Sequence, residues 1–148
     1  MSTNYSNFTE KFRIDSLKIF ETDYWCWSLR PVQGTIGSGI LSLKRAEEHF
    51  SGITEEESQD LIKIVRVIEK TLTKLFDYQR INYLMLMMVD FQVHYHVIPR
   101  YEKEITFLEK TWIDNDYPKP PTVTGTPTES ETLEKLLTAI KNICKTIE

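Results

Sequence analysis

The sequence predicts an α+β fold: an antiparallel sheet of about five strands, one long helix packed on that sheet, and a C-terminal helix. Aromatic and β-branched residues bounded by turn signals indicate strands within residues 16–31, 40–43 and 81–98. Apolar residues recur at helical spacing in residues 54–77 and 128–147. Strands that precede and follow a helix in this order are typical of a mixed fold with a single core.

Length and composition narrow the class of protein. Residues 1–148 are expected to form one domain, because a chain of this length can bury one core. The net charge of -4 comes without a basic cluster, which argues against binding to nucleic acid or to a membrane surface. Cys26 and Cys144 lie far apart and match no zinc or redox spacing, and the polar start shows no signal peptide. We therefore expect free thiols and a cytoplasmic protein.

Two segments are expected to lie outside the core. Residues 1–11 are polar and predicted to be flexible, with only Tyr5 and Phe8 able to dock on the domain. Residues 114–127 are rich in Asp, Pro and Thr, which is typical of an exposed linker or a lid.

The individual elements follow from turn and cap signals. Residues 16–31 read as a hairpin, and the glycines of residues 34–39 lead into a further strand, so a phosphate-binding loop that opens a helix is disfavoured. Thr54 with Glu57 fits a capping box at the start of the long helix. Thr128 with Glu131 fits a second capping box, at the start of the C-terminal helix.

Residues 81–89 are apolar at successive positions, including three methionines, and this pattern predicts a central strand covered on both faces. Only Asp90 and Phe91 separate this run from the histidines that follow. Such a short link predicts an antiparallel hairpin, with the histidine strand beside a buried strand.

The histidine strand, residues 92–98, is the main functional candidate. With a period of two, Gln92, His94, His96 and Ile98 face one side and apolar residues face the other. The two histidines are then roughly 7 Å apart at their Cα atoms and can act on one bound group. The alternative is a pair of half-exposed polar residues on a solvated strand.

Three chemistries could use these histidines. A catalytic zinc would need a third protein ligand, and the nearby Glu102 and Glu104 lie beyond the break at Pro99, so no metal site is expected. A serine hydrolase is disfavoured because the GxSxG elbow is missing. The favoured chemistry is nucleophilic attack on phosphorus by a neutral imidazole, His94, with Gln92 and His96 binding phosphate oxygens.

Residues 92–98 resemble the histidine triad motif, His-φ-His-φ-His-φ-φ with φ apolar. The continuation Val97-Ile98-Pro99-Arg100 is similar to the end of that motif in the dinucleoside polyphosphate hydrolase branch of the histidine triad (HIT) family. Residues 37–45 resemble the glycine-to-strand segment before the family's long helix, and the order of elements agrees over residues 16–101.

The resemblance implies a hydrolase that cleaves a dinucleoside polyphosphate or a nucleoside phosphoramidate at the α-phosphorus and releases AMP. His94 would carry the nucleotidyl group, and His96 would contact the phosphate. Ser28 would lie near the ribose, and the base slot would be lined by Ile19, Phe20, Trp25 and Trp27, whose alternative is ordinary core. The family also implies a homodimer and no cofactor held by the protein, with Mg²⁺ entering, if at all, on the nucleotide.

Two departures from the family pattern keep a second hypothesis open. Gln92 stands at the first histidine position and cannot carry a proton at neutral pH. Residues 87–91 replace the glycine-glutamine loop of the hydrolase branch. The alternative is therefore a nucleotide-binding protein of the same fold with weakened catalysis.

Overall fold

The computed structural model describes residues 3–147 and has the predicted α+β architecture. Its elements in chain order are α1 (Thr3–Lys11), β1 (Lys18–Glu21), β2 (Trp25–Leu29), β3 (Gly39–Leu43), a 3₁₀ turn (Phe50–Gly52), α2 (Glu55–Phe76), β4 (Arg80–Leu84), β5 (His94–Arg100), β6 (Ile105–Phe107), β7 (Lys110–Trp112) and α3 (Ser130–Cys144). Within residues 3–147, no helix has the length and apolar character needed to cross a membrane.

The first five strands form one antiparallel sheet in the order β1-β2-β3-β5-β4. Successive side chains of a strand alternate between the two faces, so each face collects every second residue. One face packs against α2 and α3 and forms the main core, which includes Trp25, Trp27, Leu41, Val97, Ile64, Ile68, Leu133 and Leu136. The opposite face carries a smaller apolar cluster beneath α1, made of Phe8, Phe12, Ile14, Cys26 and Ile40.

The long helix begins where the sequence predicts. The Thr54 hydroxyl accepts a hydrogen bond from the Glu57 backbone N–H, and the Glu57 carboxylate accepts one from the Thr54 N–H, which completes the capping box. The predicted cap of α3 is wrong: Glu129 is the N-cap residue and makes no side-chain cap. The Thr128 hydroxyl instead accepts a hydrogen bond from the Gln33 N–H, so Thr128 fastens a loop to the C-terminal region.

The prediction of a buried central strand over residues 81–89 is wrong. β4 stops at Leu84 and is an edge strand, paired only with β5. The hairpin with β5 is antiparallel as predicted, but the chain leaves the sheet after Leu84, and Met88 is 87% exposed. The apolar run has a different role from the predicted one, because its second half lines a cavity instead of filling the core.

The start of the chain, predicted to be flexible, forms a helix in the described part of the segment, while Met1 and Ser2 lie outside the described residues. Residues from Thr3 onward form α1, and Phe8 docks as expected, with 2% of its surface exposed. Phe8 and Phe12 are one helical turn apart and their rings are in contact, at 5.2 Å between centroids. This spacing gives α1 an apolar side that packs on the sheet.

The glycine-rich loop before β3 is explained by packing. Gly37 has a φ of 89°, which side chains other than hydrogen disfavour, and it lies against the Phe76 ring. A Cβ at Gly39 would come within 2.9 Å of the Ser28 carbonyl oxygen. These glycines therefore allow close contact between chain segments, in agreement with the argument against a phosphate-binding loop.

Candidate functional site

His94 opens β5 and lies on the face of the sheet beneath α1, opposite Ser42 of β3. Its Nδ1 is 2.5 Å from the Gln92 carbonyl oxygen. A carbonyl only accepts hydrogen bonds, so Nδ1 carries the proton and Nε2 carries the lone pair. Burial lowers the pKa of His94, which keeps the ring neutral near pH 7. His94 therefore has the tautomer that a nucleophile needs.

His96 follows two residues later on the same face, with 5.1 Å between the two ring centroids. The Arg30 Nε–H donates a hydrogen bond of 3.1 Å to His96 Nδ1, so the proton of the neutral ring is on Nε2. Burial, followed by the positive charge of Arg30, lowers the pKa of His96 to about 3. His96 is thus a neutral N–H donor, with an orientation fixed by Arg30.

Gln92 does not occupy the position that the strand pattern predicts, because β5 begins only at His94. Its side chain is buried and clips the segment after β3: the amide nitrogen donates to the carbonyls of Leu43 and Arg45, and the amide oxygen accepts from the Glu47 N–H. These three hydrogen bonds use most of the amide's capacity. Gln92 was predicted to contact phosphate, but in this structure its amide is hydrogen-bonded to the backbone.

The residues predicted to line a base slot are not brought together with the histidines. Trp25 and Trp27 are fully buried on the opposite face of the sheet, in the core with α2 and α3. Ile19 packs in that same core, and Phe20 packs against it. The alternation of side chains along a strand explains this separation. Trp27 lies on the same face as Tyr95, whereas His94 and His96 lie on the opposite face.

Ser28 does share the histidine face. It pairs across the sheet with Ile40, which in turn pairs with His96. The Ser28 hydroxyl is fully buried and has no hydrogen-bond partner among residues 3–147. His94 Nε2 is also buried and has no hydrogen-bond partner among residues 3–147. Buried polar atoms without partners are rare in folded proteins, and each calls for a physical explanation.

Two aromatic rings of the α1 region account for the burial of His94. The Phe8 ring centroid is 4.8 Å from that of His94, and the Phe12 centroid is 6.1 Å away. His94 has no exposed surface as a result. Phe12 also contacts His96, at 5.8 Å between centroids. The nucleophile candidate is therefore closed off from solvent, while its neighbour lies at the edge of the covered area.

A cavity of about 440 Å³ opens beside His96. Its apolar wall includes Val32, Leu86, Met88 and Val89, and its polar groups are Lys11, Arg30, Asp90 and His96. Apolar walls with a few convergent polar groups are typical of sites for small organic ligands. The Lys11 ammonium pairs with Asp90 at 2.9 Å, and Arg30 donates to the carbonyls of Val32 and Val123.

Sequence reasoning missed Arg30, Phe8 and Phe12 as site residues, although signals for them exist. The period of two that places Ser28 on the histidine face also continues to Arg30. The spacing of Phe8 and Phe12 by four residues is a helical signal in a segment dismissed for its polar composition. The sequence could not reveal which surface this short helix covers.

The metal alternative finds no support in the geometry of the described chain. Among residues 3–147, no group of three or more His, Cys, Asp or Glu side chains is placed to hold a metal ion. Glu102 and Glu104, the acidic residues that follow β5, are exposed.

Comparison with known proteins finds one matching family model and several structures of the same fold. Residues 38–103 match the family model described as HIT domain. The whole fold is similar to a hypothetical histidine triad nucleotide-binding protein from Sulfolobus tokodaii, with a TM-score of 0.71 and 17% identity over 99% of this chain and 93% of that chain. No curated protein matches the sequence significantly.

Two further solved structures have the same fold. A histidine triad protein from Sinorhizobium meliloti has a TM-score of 0.68 and 21% identity, over 88% of this chain and 92% of that one. A Hit-like protein involved in cell-cycle regulation, from Bartonella henselae, has a TM-score of 0.67 and 19% identity, over 93% of this chain and 94% of that one.

Proposed function

We propose that this chain, with its HIT domain match over residues 38–103 and the fold of solved histidine triad proteins, is a nucleotide hydrolase that acts through His94. The observation that carries the proposal is the hydrogen bond from His94 Nδ1–H to the Gln92 carbonyl. This bond leaves the Nε2 lone pair available for attack on phosphorus. A buried, neutral imidazole needs no prior deprotonation at pH 7.

The chemistry balances as a two-step transfer. His94 Nε2 forms a bond to the α-phosphorus while the bond from that phosphorus to the leaving group breaks. The resulting nucleotidyl-histidine keeps its Nδ1 proton, and the Gln92 carbonyl stabilises the positive ring that forms. Water then attacks the phosphorus and loses a proton to solvent, the P–N bond breaks, and the electron pair returns to Nε2 with release of AMP.

Two groups beside His94 can stabilise charge on the phosphate. The His96 Nε2–H is a neutral donor, and the guanidinium of Arg30 behind it supplies positive charge. Gln92 cannot protonate the leaving group, since an amide does not titrate and its atoms bind backbone. We therefore infer a preference for dinucleoside polyphosphates, whose phosphate leaving group needs no proton, over phosphoramidates. Mg²⁺ would enter on the polyphosphate.

The proposal is tested with diadenosine tetraphosphate and, separately, adenosine phosphoramidate. The reaction is quenched in base, the protein is examined by intact mass for an AMP adduct, and released AMP is measured by chromatography. We expect an adduct and AMP release that disappear in His94→Ala and persist in His49→Ala, a substitution at an exposed histidine outside the site. Hydrolysis that survives in His94→Ala would overturn the assignment.

A second function, nucleotide binding without turnover, is favoured by one specific observation. His94 is completely buried and Gln92 is committed to the backbone, so the attacking atom is not reachable in this conformation. This second function would be supported if calorimetry showed that AMP binds while neither substrate gave an AMP adduct or released AMP.

Three further parts of the proposal concern the setting of the protein. A homodimer is tested by light scattering of the purified chain. A cytoplasmic location rests on the two buried cysteines, Cys26 and Cys144, which form no disulfide within residues 3–147, and it is tested by cell fractionation. A nucleotide as the sole partner class, with no nucleic acid, is tested by comparing AMP with an oligonucleotide in binding assays.

A further inference from the structure

The placement of α1 raises a question that the proposed chemistry leaves open. The helix closes the face that carries His94 and Ser28, and both side chains keep a polar atom that is buried and without a partner among residues 3–147. The cover over His94 gives its Nε2 nothing to bond with, because the covering rings belong to Phe8 and Phe12. Orphaned polar atoms make the closed arrangement less favourable than a core of the same size.

The two orphaned atoms lie on the same sheet face, on strands β2 and β5, which are separated by β3. A polar ligand on that face would give each atom a partner, but α1 occupies the same space. The closed face therefore has the donors and acceptors of a binding surface and the covering of a hydrophobic core.

The attachment of α1 is weak in comparison with that of α2. Outside its apolar side, α1 is tied by surface contacts: Lys11 to Asp90, Asn4 to Glu48, and the Tyr5 hydroxyl to the Lys44 carbonyl. Each of these contacts is exposed, where ion pairs contribute little. A nine-residue helix is also too short to be stable by itself.

We propose that α1 is a displaceable cover, which closes over His94 in the resting protein and must move away before His94 can react. The inference deepens the proposed function, because it concerns access to the same histidine. The helix ends at Lys11, and Arg13, two residues later, has a φ of 50°, so the chain turns sharply at the point where a cover would hinge.

The cavity beside His96 couples the cover to a ligand. Lys11 and Phe12, at the end of α1, form part of the cavity wall, and Asp90 lies at the same opening. The phosphate of a nucleoside phosphate in this cavity would attract Lys11 and repel Asp90, which weakens the pair that fastens α1. Entry of a nucleoside phosphate therefore favours the open state.

The cover is tested without nucleotide, by reaction with diethyl pyrocarbonate. This reagent modifies the free lone pair of a neutral imidazole, and peptide mass spectrometry separates His94 from exposed His49 in the same molecule. We expect the rate at His94 to be far below the rate at His49, and to rise only shallowly with urea at concentrations below global unfolding. A shallow dependence marks a local opening, which exposes little surface.

Two substitutions of buried apolar residues, one on each side of the sheet, give the first comparison. Phe8→Ala is expected to raise the His94 rate relative to His49 by about tenfold or more, because it removes the ring that covers His94. Leu133→Ala is the matched control: it removes buried volume on the opposite side of the sheet and should leave that ratio unchanged below global unfolding.

The charge pair gives a test that leaves the core intact. Lys11→Glu should raise the ratio about two- to fivefold, and adding Asp90→Lys should bring it back by restoring an opposite-charge pair. An equal rate at His94 and His49 in the native protein would overturn the proposal. So would a His94 rate with the full urea dependence of global unfolding, or an unchanged ratio in both Phe8→Ala and Lys11→Glu.

The outcome is separate from the outcome of the nucleotide assay. If no nucleotide is hydrolysed while Phe8→Ala exposes His94, the cover stands and the hydrolase proposal fails. If hydrolysis occurs and the cover stands, Phe8→Ala should also increase kcat/KM, because it uncovers His94 without changing a residue of the cavity wall, and Leu133→Ala should leave kcat/KM near the native value.

Discussion

At the scale of single residues, the site depends on how three side chains use their hydrogen bonds. His94 and His96 are both neutral, but they have opposite tautomers, because Nδ1 of His94 faces a carbonyl and Nδ1 of His96 faces a guanidinium. One ring therefore presents a lone pair at Nε2 and the other an N–H. The Gln92 amide is hydrogen-bonded to backbone groups, and these bonds hold the chain in place just before His94.

Gln92 is expected to matter for stability. Gln92→Ala removes three hydrogen bonds to buried backbone groups, and leaving such groups without partners should lower the free energy of unfolding by about 2–4 kcal/mol. Urea denaturation measures the change. Gln59→Ala, at an exposed position on α2, is the control and should change the free energy by less than about 0.5 kcal/mol. If Gln92→Ala also lowered the free energy of unfolding by less than about 0.5 kcal/mol, the three hydrogen bonds of Gln92 would not be stabilising the fold.

The histidine pair predicts how stability depends on pH. In the unfolded chain His96 takes up a proton near its ordinary pKa of about 6.5, whereas in the folded protein burial and Arg30 lower its pKa to about 3. Between these values the unfolded state binds more protons, so stability falls as the pH falls below about 6.5 and is fully present above it.

Between pH 7.0 and 5.5 the free energy of unfolding should decrease by about 1 kcal/mol on account of His96. The burial of His94, which also lowers its pKa, adds a second contribution of the same sign. Urea denaturation at the two pH values checks this, and His96→Gln should remove about 1 kcal/mol of the decrease, while His49→Gln should leave the decrease unchanged. A free energy that stays constant over this interval would show that both histidines titrate normally when folded.

At the scale of elements, the sequence was informative wherever local chemistry decides the outcome. The hairpin of β1 and β2, the strand β3 and the capped helix α2 lie where turn, propensity and capping signals place them. The sequence-based predictions were wrong where the structure of a segment depends on the segment it pairs with. The apolar run after β4 was predicted to be central, yet whether a strand is at the edge depends on pairing between distant segments. α1 was dismissed because its polar side dominates its composition.

The capping box at the start of α2 gives a direct test of cap energetics. Thr54→Ala should lower the free energy of unfolding by about 1 kcal/mol, because it leaves the Glu57 N–H without its acceptor at the start of α2. Thr126→Ala, at an exposed position in an extended segment, should have almost no effect. Equal effects of the two substitutions in urea denaturation would mean that the cap contributes nothing.

At the scale of the whole molecule, the segment of residues 114–127 is fastened at both ends, although its composition predicts a linker or a lid. Near its start, Asp114 accepts hydrogen bonds from Arg100, at 2.7 Å to Nε, and from backbone N–H groups. Further along, the Val123 carbonyl accepts a hydrogen bond from Arg30. The same guanidinium holds His96, so the segment and the candidate site share one support.

The pair of Arg100 and Asp114 should therefore be a strong point of the fold. Both side chains are almost completely buried, and Asp114→Asn would leave the guanidinium charge without its partner, at an expected cost of about 3 kcal/mol or more. The loss should persist in 1 M NaCl, because salt screens buried pairs weakly. Lys135→Ala, which breaks an exposed ion pair with Glu131 on α3, is the matched control and should cost about 0.5 kcal/mol or less.

Hydrogen exchange locates the effect within the molecule. In Asp114→Asn, amides in residues 114–127 should exchange faster than in the native protein under conditions where α2 remains protected, because the clamp at the start of the segment is lost. If the segment loosens as far as Val123, Arg30 loses one of its acceptors and the His96 ring loses part of its support. Unchanged exchange in this segment, together with a small loss of stability, would show that the segment is held by its other contacts and that the buried pair is dispensable.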